Sequence, residues 1–115
     1  QGYEISSRKY ALFLRILYNA SYLDEEHSNY LLSLLTKSTF KDGLVAGLPQ
    51  GIEVAHKFGT YTETSVGVSV LHDCGIVYIP EDPFVVCIMT KGKNVTSLLR
   101  VISNVTKIVY EGERE

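Results

Sequence analysis

Val66-Gly67-Val68-Ser69-Val70-Leu71-His72-Asp73-Cys74-Gly75-Ile76-Val77-Tyr78 and Phe84-Val85-Val86-Cys87-Ile88-Met89-Thr90 are two runs dense in Val and Ile, joined through Ile79-Pro80-Glu81-Asp82-Pro83. Branched and aromatic side chains pack well on a pleated, half-buried surface, so both runs read as strands. Pro80-Glu81-Asp82-Pro83 is turn chemistry, which predicts that the two strands form an antiparallel hairpin. A third apolar run, Glu53–Phe58, precedes them and reads as a further strand. Gly67 and Gly75 mark bends or places where backbones approach closely.

Working outward from the strands, the periodicity changes. Val95, Leu98, Leu99, Ile102, Val105, Ile108 and Val109 form a sustained helical stripe, which predicts a helix over 94–110. The charged tail Glu111 to Glu115 is expected to fray. Upstream, Tyr10, Phe13, Leu14 and Leu17 fall on one helical face and predict a helix over 7–19, with Ser6 or Ser7 as its cap. A second helix is predicted over 25–37, capped by Asp24, with Glu25 and Glu26 at the positive end of its dipole. The segment from Ser38 to Gly51 is loop-rich, with a short helical turn expected around Asp42–Ala46. The order is α-α-β-β-β-α, an α+β arrangement with an antiparallel sheet flanked by helices. We read residues 1–115 as a single domain.

Composition excludes several classes. The chain has 115 residues, 45% hydrophobic and 21% charged, which is enough to build a core and does not match a disordered chain. A net charge of −2, with no basic run, gives no case for nucleic acid or an anionic membrane surface. No stretch has the length of a membrane span, and Gln1-Gly2-Tyr3-Glu4 has no signal-peptide character. Cys74 and Cys87 lack metal or redox spacing. They read either as two buried thiols or as a cross-strand disulfide, and sequence does not choose between them. His27, His56 and His72 show no ligand spacing either, so neither a metal nor a cofactor is called for.

Two stretches carry a resemblance. Gly47-Leu48-Pro49-Gln50-Gly51-Ile52-Glu53-Val54-Ala55-His56-Lys57-Phe58-Gly59-Thr60 resembles the Leu-Pro-x-Gly and Lys-Thr-Gly region of class A β-lactamase-type, penicillin-recognising serine hydrolases. His72-Asp73-Cys74-Gly75-Ile76-Val77-Tyr78, the proline turn, Phe84–Thr90 and Lys91-Gly92 resemble the hairpin that follows it. The family's motif set is Ser-x-x-Lys, Ser-Asp-Asn and Lys-Thr-Gly. Only a variant of the third stands in its expected place, and only 56 residues precede Lys57. The resemblance therefore implies the C-terminal portion of the β-lactamase/transpeptidase-like fold, with the nucleophile absent and the chain alone inactive. The parent activity implied is acyl transfer on β-lactams or D-alanyl peptides of the cell wall, in an exported bacterial protein. The alternative is a non-catalytic relative that binds cell-wall peptide or a protein partner. A third reading is an independent small α+β domain.

Ser6-Ser7-Arg8-Lys9 formally matches Ser-x-x-Lys at a helix start. Its plain structural reading makes Ser6 a cap and Lys9 a solvated helix residue, and that reading is preferred here.

Among the matched residues, Lys57 is expected to project into the cleft as a cationic contact for the substrate carboxylate. Gly59 would let a ligand approach the backbone. The resemblance makes the Thr60 backbone N–H one of two oxyanion-hole donors, the other belonging to the missing nucleophile. Phe58 stands where the family has a hydroxyl, and Thr60 or Thr62 are the candidates to replace it. His56 is expected to face away from Lys57, and His56, His72 and Asp73 are read as structural hydrogen-bonding residues. In the family the Phe84–Thr90 strand pairs with an N-terminal strand. Here its open edge implies a complementary chain or self-association.

Overall fold

A computed structural model describes residues 4–114. The first helix, α1 (Ser7–Tyr18), starts where the Ser6 side chain accepts a hydrogen bond from the Lys9 backbone N–H at 3.1 Å. The second, α2 (Glu25–Leu35), starts where Asp24 accepts from the His27 N–H at 2.8 Å. Both caps satisfy donors that a helix leaves open at its first turn. A single 3-10 turn, Val45–Gly47, replaces the expected turn at Asp42–Ala46.

Three strands follow: β1 (Glu53–Glu63), β2 (Val68–Tyr78) and β3 (Phe84–Gly92). They pair antiparallel in the order β1-β2-β3. The predicted hairpin is therefore present, with Ile79–Pro83 as its turn. The first strand runs five residues past its predicted end at Phe58, into Thr60-Tyr61-Thr62-Glu63. Those side chains are exposed, so no hydrophobic alternation announces them, although Thr and Tyr suit a strand. Gly67, at φ +67, closes the β1–β2 turn, where the Gly67 N–H donates to the Glu63 carbonyl at 2.9 Å. The final helix, α3 (Val95–Glu113), is capped by Asn94 and continues into the segment expected to fray.

Strand alternation sorts the core into two faces. One face carries Val54, Leu71, Val77 and Val86, packed under Leu98 and Ile102 of α3 and Leu44 of the preceding loop. The other carries Ala55, Cys74 and Ile76, packed under Leu14 of α1 and Leu32 of α2. Cys74 and Cys87 face each other across β2 and β3 with Cα atoms 3.9 Å apart, and they are disulfide-bonded.

Candidate functional site

The disulfide fixes which backbone groups point where. A Cα separation of 3.9 Å is the short spacing of a non-hydrogen-bonded pair, so the Cys74 backbone groups point toward β1 and those of Cys87 toward the free side of β3. Cys74 pairs with Lys57 in the unbroken β1–β2 register. The Lys57 backbone groups therefore point into the sheet, and by alternation those of Phe58 and Thr60 point out from the free edge of β1. One side-chain contact agrees: Lys57 Nζ donates to the Phe58 carbonyl at 3.0 Å, curling round that edge.

Side chains alternate as well. Lys57 and Gly59 share the face that α1 and α2 cover, and Lys57 is exposed at the edge. Phe58 points to the opposite face and stacks on Phe40, with ring centroids 3.9 Å apart and planes at 17°. The Lys57 ammonium lies 5.4 Å from the Phe58 ring centroid. Thr60 and Thr62 follow Phe58 onto the α3 face. There the Thr60 hydroxyl donates to the Val70 carbonyl at 3.2 Å, and the Thr62 and Ser69 hydroxyls meet at 2.8 Å. The fold thus brings together Lys57, Gly59 and the outward Thr60 N–H. It turns the Thr60 and Thr62 hydroxyls away from them.

Beneath the α3 face lies a closed polar network. His56 Nδ1 meets Asp73 Oδ1 at 2.8 Å, and the Leu44 backbone N–H donates to Asp73 Oδ2 at 2.9 Å. Both side chains are fully buried. Both carboxylate oxygens are thereby engaged, as burial of such a group requires. Gly43 lies so close that a Cβ there would sit 2.5 Å from Asp73 Oδ2. The network pins the Phe40–Leu44 loop under β1, and so sets the floor beneath Lys57-Phe58-Gly59. His56 faces away from Lys57, as alternation predicted.

On the Lys57 face stands His72, which sequence reading had taken as a structural hydrogen-bonding residue. His72 pairs with Gly59 across the strands, and a Cβ at Gly59 would lie 2.6 Å from His72 Nε2. The imidazole therefore rests against the bare glycine backbone. Tyr10 of α1 closes over it, with centroids 5.9 Å apart. Burial holds the His72 pKa below its usual value. The Asp73 charge opposes that shift, and the Lys57 charge adds to it. Burial, helped by Asp73, raises the Tyr10 pKa. A longer β1 in the sequence reading would have set His72 opposite Gly59, because the register follows once the turn at Thr64–Gly67 is known.

Ser6, the formal Ser-x-x-Lys serine, is exposed and occupied as the cap of α1. A separate groove of about 480 Å³ lies where α1 and α2 meet the start of β1, lined by Tyr18, Asn29, Ser33, Thr36, Glu53 and Tyr78 among others.

An antiparallel sheet with a helix pair on one face and a closing helix on the other defines part of a β-lactamase-like fold. Solved structures agree. A variant of the TLA-1 extended-spectrum β-lactamase superposes with a TM-score of 0.82 at 24% identity, over 88% of this chain and 38% of that one. A β-lactamase from Chitinophaga pinensis gives 0.79 at 24% identity, over 89% and 39%. PBP-A gives 0.67 at 23%, over 89% and 38%. The profile of the Beta-lactamase enzyme family matches residues 1–112, and the chain belongs to that family. It spans well under half the length of the structures it matches. No curated protein matches it.

Proposed function

We propose that this chain forms the C-terminal wall of a β-lactamase-like serine hydrolase, which transfers acyl groups from β-lactams or D-alanyl peptides. The observation that carries this reading is the edge of β1, where Lys57 and Gly59 share a face and the Thr60 N–H points outward. An exposed lysine on a glycine-flanked edge can hold a substrate carboxylate. An outward backbone N–H beside it can donate to a developing oxyanion, a contact often worth about 3 kcal/mol of barrier. The serine and its base belong, on this reading, to polypeptide outside these residues, so the chain alone is inactive. Fluorescent penicillin applied to the full polypeptide tests it. Covalent labelling that Lys57→Met weakens and Ser6→Ala leaves intact is expected. No labelling of a folded protein would sink it.

One observation favours the non-catalytic alternative, a binder of cell-wall peptide or protein. Phe58 replaces the family's hydroxyl and spends its ring on Phe40, and neither nearby threonine hydroxyl returns to the Lys57 face. A folded full-length protein that binds the peptide without being acylated would establish it.

The partner proposal rests on structure left unpaired among the described residues. The free edge of β3 presents the backbone groups of Val85, Cys87 and Met89, and such edges recruit another strand. Val101, Val105 and Ile108 form a second, exposed apolar stripe along α3, with Ile108 68% exposed. A complementary segment or a second copy would cover both. Light scattering on the isolated 115 residues is expected to show association, and a stable monomer would count against it. No described helix is long and apolar enough to cross a membrane. The disulfide suits an oxidising, extracytoplasmic compartment.

A further inference from the structure

Where β1 begins, the helix-pair face carries a groove that the acyl-transfer reading does not use. Glu53 opens β1 and pairs across the strands with Tyr78, the last residue of β2. By alternation both side chains share the face of Ala55 and Ile76. Tyr18 ends α1 and brings its ring to 6.3 Å from that of Tyr78, tilted by 39°. Asn29 and Ser33 of α2, with its C-cap Thr36, lie at helical spacing and complete the wall. The volume of about 480 Å³ suits a small organic molecule.

Most of the lining groups are acceptors. The Ser33 hydroxyl donates to the Tyr30 carbonyl at 2.7 Å, and the Thr36 hydroxyl donates to the Ser33 carbonyl at 2.6 Å. With those protons spent, both oxygens offer the groove lone pairs. The Glu53 carboxylate is exposed and accepts without donating. The ion pairs of the described residues, His27–Asp24 and His56–Asp73, do not include it. The two phenol rings add the negative faces of their π-systems. Burial holds the Tyr78 pKa above its usual value, and Tyr18 and Glu53 add to the rise. Donors come from the Asn29 amide and the phenol O–H groups, and among the described residues no lysine or arginine lines the groove.

We propose that this groove binds a primary alkylammonium ion, held by the Glu53 carboxylate, the Ser33 and Thr36 oxygens and the Tyr18 and Tyr78 ring faces. Three N–H donors and one positive charge match an acceptor wall that carries one carboxylate. The aromatic faces attract the same charge, and Leu32 gives the alkyl stem an apolar surface. The site does not depend on the acyl-transfer reading, since Glu53 stands four residues before Lys57. The ammonium belongs either to a free amine or to a lysine-type side chain.

The test uses the full polypeptide and n-butylammonium, followed by NMR of the tyrosine ring resonances. Saturable shifts at Tyr18 and Tyr78 are expected, with n-butanol binding at least about tenfold more weakly. Glu53→Gln should weaken n-butylammonium about tenfold, and Tyr18→Leu about threefold. Both positions are exposed, so neither change opens the core. The comparison of ammonium with alcohol stands on the wild-type protein alone. Nα-acetyl-lysine N-methylamide separates the two sources. Tighter binding than n-butylammonium points to a peptide side chain, equal or weaker binding to a free amine, and either upholds the site. Equal binding of the alcohol, shifts that spare both tyrosines, or no binding at all overturns it. Penicillin labelling is read separately, so the two proposals fail independently.

Discussion

His56 and His72 lie three register steps apart on opposite faces of one sheet, and their surroundings give them opposite work. His56 is sealed under the α3 face, with Asp73 on one ring nitrogen and the Leu44 N–H on the same carboxylate. His72 lies against a glycine on the other face, half-buried, with a tyrosine above it and a lysine nearby. Two imidazoles from near-identical strand contexts thus divide into a structural residue and an available one. The deciding factors are strand parity and whether the cross-strand partner carries a side chain.

The largest effect should come from breaking the floor. Asp73→Ala leaves the His56 ring and the Leu44 N–H buried without an acceptor, and should lower unfolding free energy by about 3–5 kcal/mol. His72→Gln, on the upper face, should lower it by only about 1 kcal/mol. Urea denaturation of both variants measures the contrast, and equal losses would erase the distinction between the two faces. The disulfide comes next. Cys74→Ala with Cys87→Ala removes a cross-link that closes a short loop, and should lower stability by about 2–4 kcal/mol. Reductant should lower the wild-type melting temperature and leave the double variant unchanged.

Gly59→Ala probes the contact between Gly59 and the His72 ring on the upper face. The added methyl must displace the His72 ring, which should destabilise the protein by about 1–2 kcal/mol. In a His72→Ala background the same change should have less than half that effect, because the obstructing ring is gone. A double-mutant cycle in denaturant reads the coupling directly. Additive losses would mean that the ring does not rest where the register places it.

Much of this was legible in sequence, for physical reasons that differ by element. The helices announce themselves through apolar stripes and, in the first two, through caps: Ser6 and Asp24 each accept from the N–H three residues on, and Asn94 does the same at α3, which its stripe alone predicted. The β2–β3 hairpin was legible because both strands are apolar on both faces and end at proline. The far half of β1 was not, because Thr60, Tyr61 and Thr62 bury too little to leave a pattern. That shortfall hid the pairing of Gly59 with His72. The thiols stayed undecided because spacing cannot give a Cα separation. The pairing of Asp73 was not legible either: adjacent strand residues face apart, and its partner is His56, seventeen residues upstream.

The smallest expected effect tests Ser6, the serine of the Ser-x-x-Lys match at the start of α1. Ser6 lies in the extended backbone of a helix cap and accepts from Lys9, so its oxygen faces the helix's own open donors rather than a cleft. Ser6→Ala should lower stability by about 1 kcal/mol, the ordinary worth of a serine cap, and Ser6→Asp should restore it. A nucleophile would behave otherwise, since aspartate can cap a helix but cannot carry an acyl group as a serine ester. Loss of penicillin labelling in Ser6→Asp, with stability restored, would move the reactive centre into α1 and detach it from the edge of β1.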